Sequence, residues 1–414
     1  MDAQSTATQH TAAGPDFNLL SPDTYVPGVP HEAFRTLRNT APVSWQKDPE
    51  SPGFWAITKH ADVVTISRDP KTFSSHRRTA MLMELPPDSL AETQLFMINA
   101  DPPRHTKLRA LVNKGFTPRM VARLEPHVRD IANAVIDAVA QKGECDFVTE
   151  VAAELPLQVI AEMMGVPLAD RRALFSWSNR MIGQDDPEYG TTEDEAKRAS
   201  LEVYMYANQL AAERRRNPGE DLMSVLLNAE VDGEKLTEME FDVFFVLLMI
   251  AGNETTRNLI SGGMLALIDH PEQRARLLKD RSLINTAVDE MLRWVSPVMA
   301  FRRTATRDTE IRGQKIREGD KVLMFYPSAN RDEEVFPEAD RFDVGRTPND
   351  HLAFGIGEHF CLGSNLARLE IRVMFEELLR RLPDIELAGP VARLRSNFIN
   401  GIKHMPVKFT PKAA

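Results

Sequence analysis

Apolar and polar positions along this chain follow two different periods. From Val121 onward, apolar residues recur mostly three and four apart, the spacing of helices with one buried face, and the runs are broken by Pro, Gly and Asp clusters. Nearer the start, Pro42 to Gln46 and Phe54 to Lys59 read as short strands around the turn-rich Pro49-Glu50-Ser51-Pro52-Gly53. Strand-like segments return at Thr309 to Arg312, at Lys321 to Tyr326 and near the C-terminus. One segment is apolar on almost every side: Phe244 to Ile250. It lies in a helix opened by the capping-box spacing Thr237-Glu238-Met239-Glu240 and predicted to run to about Asp269, before His270-Pro271. Such a helix is long for a globular protein and should cross the interior. The pattern predicts a mainly α fold with a minor β region. No repeat or long linker divides it, so residues 16–414 read as one domain behind a polar, disordered segment, 1–15.

A chain of 414 residues can bury a sizeable core, and 43% hydrophobic with 27% charged residues is the composition of a soluble globular protein. The formal net charge of −10 argues against a nucleic-acid partner. Cys145 and Cys361 are the only cysteines, which excludes a disulfide framework and suits a reducing compartment. Met1 to Pro15 has neither the basic start nor the apolar run of a secretory signal, and Val243 to Gly252 is too short to span a bilayer. The expectation is a cytoplasmic protein with no membrane segment.

Candidate chemistry concentrates in Phe354-Gly355-Ile356-Gly357-Glu358-His359-Phe360-Cys361-Leu362-Gly363. Leu362, Leu366, Leu369 and Val373 then follow at helical spacing, placing Cys361 near a helix N-terminus, where N–H groups and the dipole favour thiolate. The glycines let the backbone approach a large planar ligand, and a thiolate so held can be the axial ligand of haem iron. A buried structural cysteine beside a glycine turn is the other reading of this loop alone.

Its partners decide between them. Ala251-Gly252-Asn253-Glu254-Thr255-Thr256 interrupts the long helix with small residues, against which a ligand could lie flat. Glu254 would be a costly carboxylate there unless it met water, a cation or a proton pathway, and an acid beside an alcohol suits stepwise proton delivery to oxygen at a metal. The alternative is a packing glycine with Thr255 bonded back to the preceding turn. Glu290 and Arg293 share one helical face. His105 and Arg109 share another, and Arg303 follows apolar Val298 to Phe301; these groups suit the propionates of a haem.

With these residues assembled, the chain resembles bacterial cytochromes P-450 over essentially everything after the first fifteen residues. The signatures occur in order: Ala251 to Thr256, Glu290 with Arg293, Ala329-Asn330-Arg331-Asp332 leading to Phe342, and the cysteine loop with Phe354 and Gly355 at its start. The resemblance implies the P-450 fold with its long central helix over haem b, dioxygen activation and an external redox partner. It implies Cys361 as axial ligand and His359, His105, Arg109 and Arg303 as propionate-binding residues, Arg303 being favoured over Arg302. It also implies Glu254 and Thr255 as the oxygen-activating pair and Arg341 as a candidate third partner of Glu290 and Arg293.

The expected reaction is monooxygenation, with Thr255 helping to deliver protons that Glu254 relays from solvent. Electrons would come from an acidic ferredoxin and its NAD(P)H-dependent reductase, steered by a basic cluster of Arg104, Lys107, Lys114, Arg119 and Arg123. Apolar stretches matching the family's pocket supply candidate substrate contacts: Met83, Phe96, Leu247, Ile250, Ala251, Val298, Met299 and Phe398. The stretches around Gly143-Glu144-Cys145, Tyr326 to Asp332 and Ser396-Asn397-Phe398 are similar to terpineol-type members, and steroid-oxidising members share several traits. A small apolar terpenoid or steroid is the expected substrate. Cys145 reads as a packing residue. The rival readings are a peroxide-dependent peroxygenase, a non-catalytic haem protein that binds a hydrophobic ligand, and a helical protein without haem.

Overall fold

A computed structural model describes residues 18–412 except 49, 50, 114, 115, 184, 190, 191 and 232. The segment 1–15 expected to be disordered, and Lys114 of the basic cluster, lie outside the described residues.

The central helix, Glu238–Asp269, runs 32 residues through the molecule. Its capping box forms as the sequence requires: Glu240 N–H donates to Thr237 Oγ1 (3.2 Å) and Thr237 N–H to Glu240 Oε2 (3.0 Å). It stops at His270, where the following proline disfavours helical backbone. Because it is apolar all round, other helices cover it on several sides: Glu154–Met163, Glu193–Arg216, Ile284–Val295 and Ser364–Arg381. Phe244, Phe245, Leu259 and Met264 share one core with Met291 and Phe375 from two of those partners. The last of them, the helix after the cysteine, also packs along Pro118–Ala140, and Arg129 of that helix is held by Glu125, Glu376 and Glu377.

A five-stranded sheet lies beside the helical body, in the order Val43–Asp48, Ser51–Ile57, Lys321–Phe325, Ala300–Ala305, Phe73–Ser74. Only the pairing of Lys321–Phe325 with Ser51–Ile57 is parallel. Both faces are buried: Phe54, Ala56, Leu323 and Phe325 enter one cluster, and Trp55, Ile57, Val322 and Met324 another. The same alternation sends the neighbouring Arg302 and Arg303 to opposite faces. Among the described residues, no helix is long and apolar enough to cross a membrane.

Glu290 and Arg293 are fully buried, and their bonds make a structural clamp. Arg293 donates to both Glu290 oxygens (2.7 and 2.8 Å) and to the carbonyls of Asn330 (2.9 Å) and Ala339 (2.8 Å). The third side chain is Arg346, whose Nε reaches Glu290 Oε2 at 3.1 Å. This corrects the expectation for Arg341, whose guanidinium pairs with Glu338 while its carbonyl accepts from Arg293. The chain after Phe342 turns back over the pair, a reversal with no periodic signal in the sequence.

Candidate active site

The cysteine loop is shaped by two left-handed glycines. Gly355 has φ +67° and Gly357 φ +78°, and a Cβ on Gly357 would lie 2.5 Å from the Ser67 carbonyl oxygen. The chain then closes on itself, with Cys361 N–H donating to Phe354 C=O (2.9 Å), and the helix Ser364–Arg381 begins. Arg368 of that helix covers the Phe354 ring, 4.7 Å from its centroid. Cys361 lines a cavity of about 240 Å³ between this loop and the central helix. Burial pushes its thiol up, against the lowering influence of the Gly363 N–H, Arg109 and Arg368. The helix terminus alone therefore does not make the thiolate expected from the sequence; a metal cation at the sulfur would.

One edge of the cavity is cationic. His105, Arg109, Arg303 and His359 all line it, with the two imidazole centroids 4.3 Å apart. Arg303 donates to the Arg302 carbonyl (2.7 Å) and Arg109 to Asn113 Oδ1 (3.2 Å), and neither makes an ion pair among the described residues. Arg302 instead pairs with Glu84 on the far face of the sheet (2.7 Å). Burial, then Arg109, pushes the His105 pKa down to about 4; burial, then Arg303, His105 and Arg109, brings His359 to about 2. A buried guanidinium, Arg303, and a half-buried one, Arg109, neither with a carboxylate partner, make a site for an anionic ligand edge in a chain of net charge −10.

The central helix forms the facing wall through Leu247, Leu248, Ala251, Gly252, Thr255, Thr256 and Leu259. Gly252 is a packing glycine: its missing side chain is filled by Ile160, 2.8 Å from where a Cβ would be. Ala251 is the residue that opens onto the cavity, and Thr255 Oγ1 donates back to its carbonyl (2.8 Å). Glu254, next in sequence to Thr255, is turned away from the cavity. It pairs with Arg257 and accepts from Ser178 Oγ (3.1 Å). It is 1% exposed, so in this arrangement it does not meet solvent as a relay would.

A lone cysteine facing a flat apolar wall, with a cationic edge between them, fits a haem: Cys361 for the iron, the four basic groups for the propionates. Residues 189–383 match the family model described as Cytochrome P450. A Rhodococcus jostii (strain RHA1) protein named steroid C26-monooxygenase is 43% identical, covering 98% of this chain and 87% of its own. The methyl-branched lipid omega-hydroxylase of Mycobacterium tuberculosis (strain H37Rv) is 48% identical over 91% of this chain and 90% of its own. A solved Mycobacterium marinum cytochrome P450 in complex with pseudoionone superposes with a TM-score of 0.89 at 42% identity, covering 96% of this chain and 99% of that one. The chain belongs to the cytochrome P450 family. It is a haem-iron monooxygenase, an oxidoreductase that uses dioxygen and a lipophilic substrate.

In this P450 the apolar wall differs in part from the expected pocket. Leu247, Ala251 and Val298 line the cavity, while Met83, Phe96, Ile250, Met299 and Phe398 do not. Helix geometry explains Ile250, which falls off the stripe formed by positions 247, 248, 251, 252 and 255. Met299 is sealed in the core with its N–H on the Phe398 carbonyl (2.8 Å), and the Phe398 ring packs on Phe301 (5.6 Å). Phe96 joins the helical core and Met83 is half exposed. Met97, Ile98, Leu248 and Phe301 take their places. Two polar lining residues escaped the sequence reading, Ser67 and Glu370, the latter on the helix after the cysteine. The signal for Glu370 was an acid at the centre of the buried stripe Leu366, Glu370, Met374.

Proposed function

We propose that this P450 holds haem b through Cys361 and hydroxylates a steroid-like or branched terpenoid-like hydrocarbon. The observation that carries the substrate class is the apolar cavity wall of Met97, Ile98, Leu247, Leu248, Val298 and Phe301, the polar lining being the cationic edge with Ser67, Thr255, Thr256, Tyr326 and Glu370. The names of the relatives, a steroid oxidase and a branched-lipid hydroxylase, point the same way. Cys145 sits in the strand Glu144–Asp146 away from the cavity, its thiol pushed up to about 12 by burial, which suits a macrocycle bound without thioether links.

When bound, the haem iron with its sulfur ligand supplies dioxygen cleavage and oxygen insertion. The chain's own residues prepare the site. Cys361 Sγ presents the ligand, with the Gly363 N–H directed at it. Arg303, Arg109, His105 and His359 orient the ligand's acidic edge. Ala251 leaves room over the iron position, and Thr255 keeps its hydroxyl proton on the Ala251 carbonyl, ready to be passed inward. The apolar wall excludes water and holds a C–H bond near the reacting centre.

Electrons would arrive from an acidic ferredoxin fed by an NAD(P)H-dependent reductase. The exposed Lys107, Arg119 and Arg123 support that reading, with Phe360, 40% exposed, beside the cysteine. A cytoplasmic location accords with such a partner.

The test is a spectral titration of the purified haem protein with steroids, acyclic terpenoids, branched fatty acids and aromatics, followed by turnover with a ferredoxin pair. Low-to-high-spin conversion and product with a steroid or branched chain are expected. Conversion by aromatics alone would overturn the substrate class. Equal product from hydrogen peroxide without reductase would establish the peroxygenase instead, and Cys361→Ala retaining the thiolate-type reduced carbonyl spectrum would remove the ligand assignment.

A further inference from the structure

We propose that the Tyr326 hydroxyl is a further anchor of the haem, donating a hydrogen bond to the same propionate carboxylate as Arg303; this rests on the reading of the cavity as the haem site. Tyr326 follows directly on the strand Lys321–Phe325, and its N–H donates to the Met299 carbonyl (2.9 Å), so the antiparallel pairing with Ala300–Ala305 continues one residue past the strand. In that register Val322 stands opposite Arg303 and Met324 opposite Phe301. Opposed residues share a face, and so do alternate residues along a strand, which puts Tyr326, Phe301 and Arg303 on one side of the sheet. The contacts agree. The Tyr326 and Phe301 rings meet edge to face with centroids 6.1 Å apart, and all three residues line the cavity.

A buried hydroxyl without a hydrogen bond is costly, and three other tyrosines avoid that cost. Tyr25 donates to the Leu19 carbonyl (2.9 Å), Tyr204 to Glu92 (3.0 Å) and Tyr206 to Asp170 (2.8 Å). Tyr326 is 4% exposed, and its hydroxyl has no partner among the described residues. Its oxygen is not sealed in by protein atoms either; the open space it borders is the cavity. Arg303 is in a similar position: one guanidinium nitrogen donates to the Arg302 carbonyl (2.7 Å), and the group makes no ion pair among the described residues. The two are neighbours, because Arg303 is the charge that acts on the Tyr326 phenol. Burial raises the phenol's pKa against the opposing pull of Arg303, so the group stays protonated and can donate. A phenol and a guanidinium facing one space suit the two oxygens of a single carboxylate, and the phenol supplies its donor without adding charge. A substrate carboxylate would offer the same chemistry, but Arg303 belongs to the edge that orients the haem.

The experiment compares Tyr326→Phe, which keeps the ring and removes only the hydroxyl, with the parent haem protein. Haem should pass from the variant to a scavenging apoprotein about fivefold faster or more, because a charge-assisted hydrogen bond is lost. The resonance Raman band for bending of the haem propionates should shift, while the iron–sulfur stretch stays where it is in the parent. A packing defect would speed release without moving the propionate band alone. A release rate equal to the parent's, or an unmoved propionate band, overturns the inference. Spin-state titration with a branched fatty acid and with its methyl ester distinguishes the two sources of carboxylate. If Tyr326→Phe weakens binding of the acid only, and haem release stays at the parent rate, the hydroxyl serves substrate and the inference falls. A parent protein that takes up no haem defeats the reading of the cavity and the inference with it, whereas a loaded parent with an unaffected variant defeats the inference alone.

Discussion

Arg257 donates to Glu254 one turn back along the central helix, and the two side chains are 4% and 1% exposed. Asn179 Oδ1 accepts from Arg257 (2.9 Å), Ser178 donates to Glu254 (3.1 Å), and the Phe175 ring lies 5.6 Å from the guanidinium, so the pair stitches Arg171–Ile182 to the central helix. Removing one partner strands a buried charge. Arg257→Met should therefore cost about 3–5 kcal/mol, whereas the double variant Glu254→Gln with Arg257→Met should cost clearly less than the sum of the two single changes. Urea unfolding of the four species measures the difference. Additive losses would show that the pair is not coupled.

Two adjacent arginines should behave oppositely towards haem. Arg303 lines the cavity and Arg302 pairs with Glu84 across the sheet. A charged hydrogen bond contributes about 1.5–3 kcal/mol, so Arg303→Met should release haem to a scavenging apoprotein about 10- to 100-fold faster. Arg302→Met should change that rate by less than about twofold, because its contacts are elsewhere.

The glycines of the cysteine loop are predicted to differ in cost. Alanine at Gly355 meets only the strain of a left-handed backbone, about 1–2 kcal/mol, since the nearest atom to its Cβ is the His359 carbonyl oxygen at 3.7 Å. Alanine at Gly357 adds a clash with the Ser67 carbonyl at 2.5 Å, so Gly357→Ala should destabilise more and also loosen haem. Chemical denaturation of both variants, with and without haem, tests the order.

His404 links the C-terminal hairpin to the segment between two helices. Its ring nitrogens meet Asp146 (2.5 Å) and Glu188 (2.6 Å), and Lys403 reaches Asp186 and Glu188. The Asp146 and Glu188 hydrogen bonds raise the imidazole pKa above 6.5. A raised value means the folded state binds the proton more tightly. The stabilisation is therefore complete below pH 6.5 and fades as pH rises through the raised value. Lys403, chiefly, holds Glu188 below the usual carboxylate range, so it remains ionised across that interval. The Tm gap between the parent and His404→Asn should be widest in mild acid and close on the alkaline side. The ring is 42% exposed, so the gap is small.

Much of the site was legible because its signals are local. The capping box at Thr237 and the glycine-flanked Cys361 each need only neighbours in sequence, whereas Arg303 was preferred to Arg302 through the family resemblance. What escaped depends on residues far along the chain. Glu254 turns away because Arg257 and Ser178 receive it, Gly252 is filled by Ile160, and Glu290 is completed by Arg346 rather than Arg341. Pocket residues were misjudged where an apolar stretch was taken whole: one face of Leu247 to Ile250 meets the cavity and the other meets the core.

The cavity wall begins at Ser67 and ends at Glu370, drawing on the first sheet connection, the central helix and the cysteine helix. No stretch of the polypeptide shorter than those three hundred residues brings the walls together, so a fragment that lacks either end of that span lacks part of the wall. Colour in a preparation therefore reports that the larger part of the chain has assembled around the pigment.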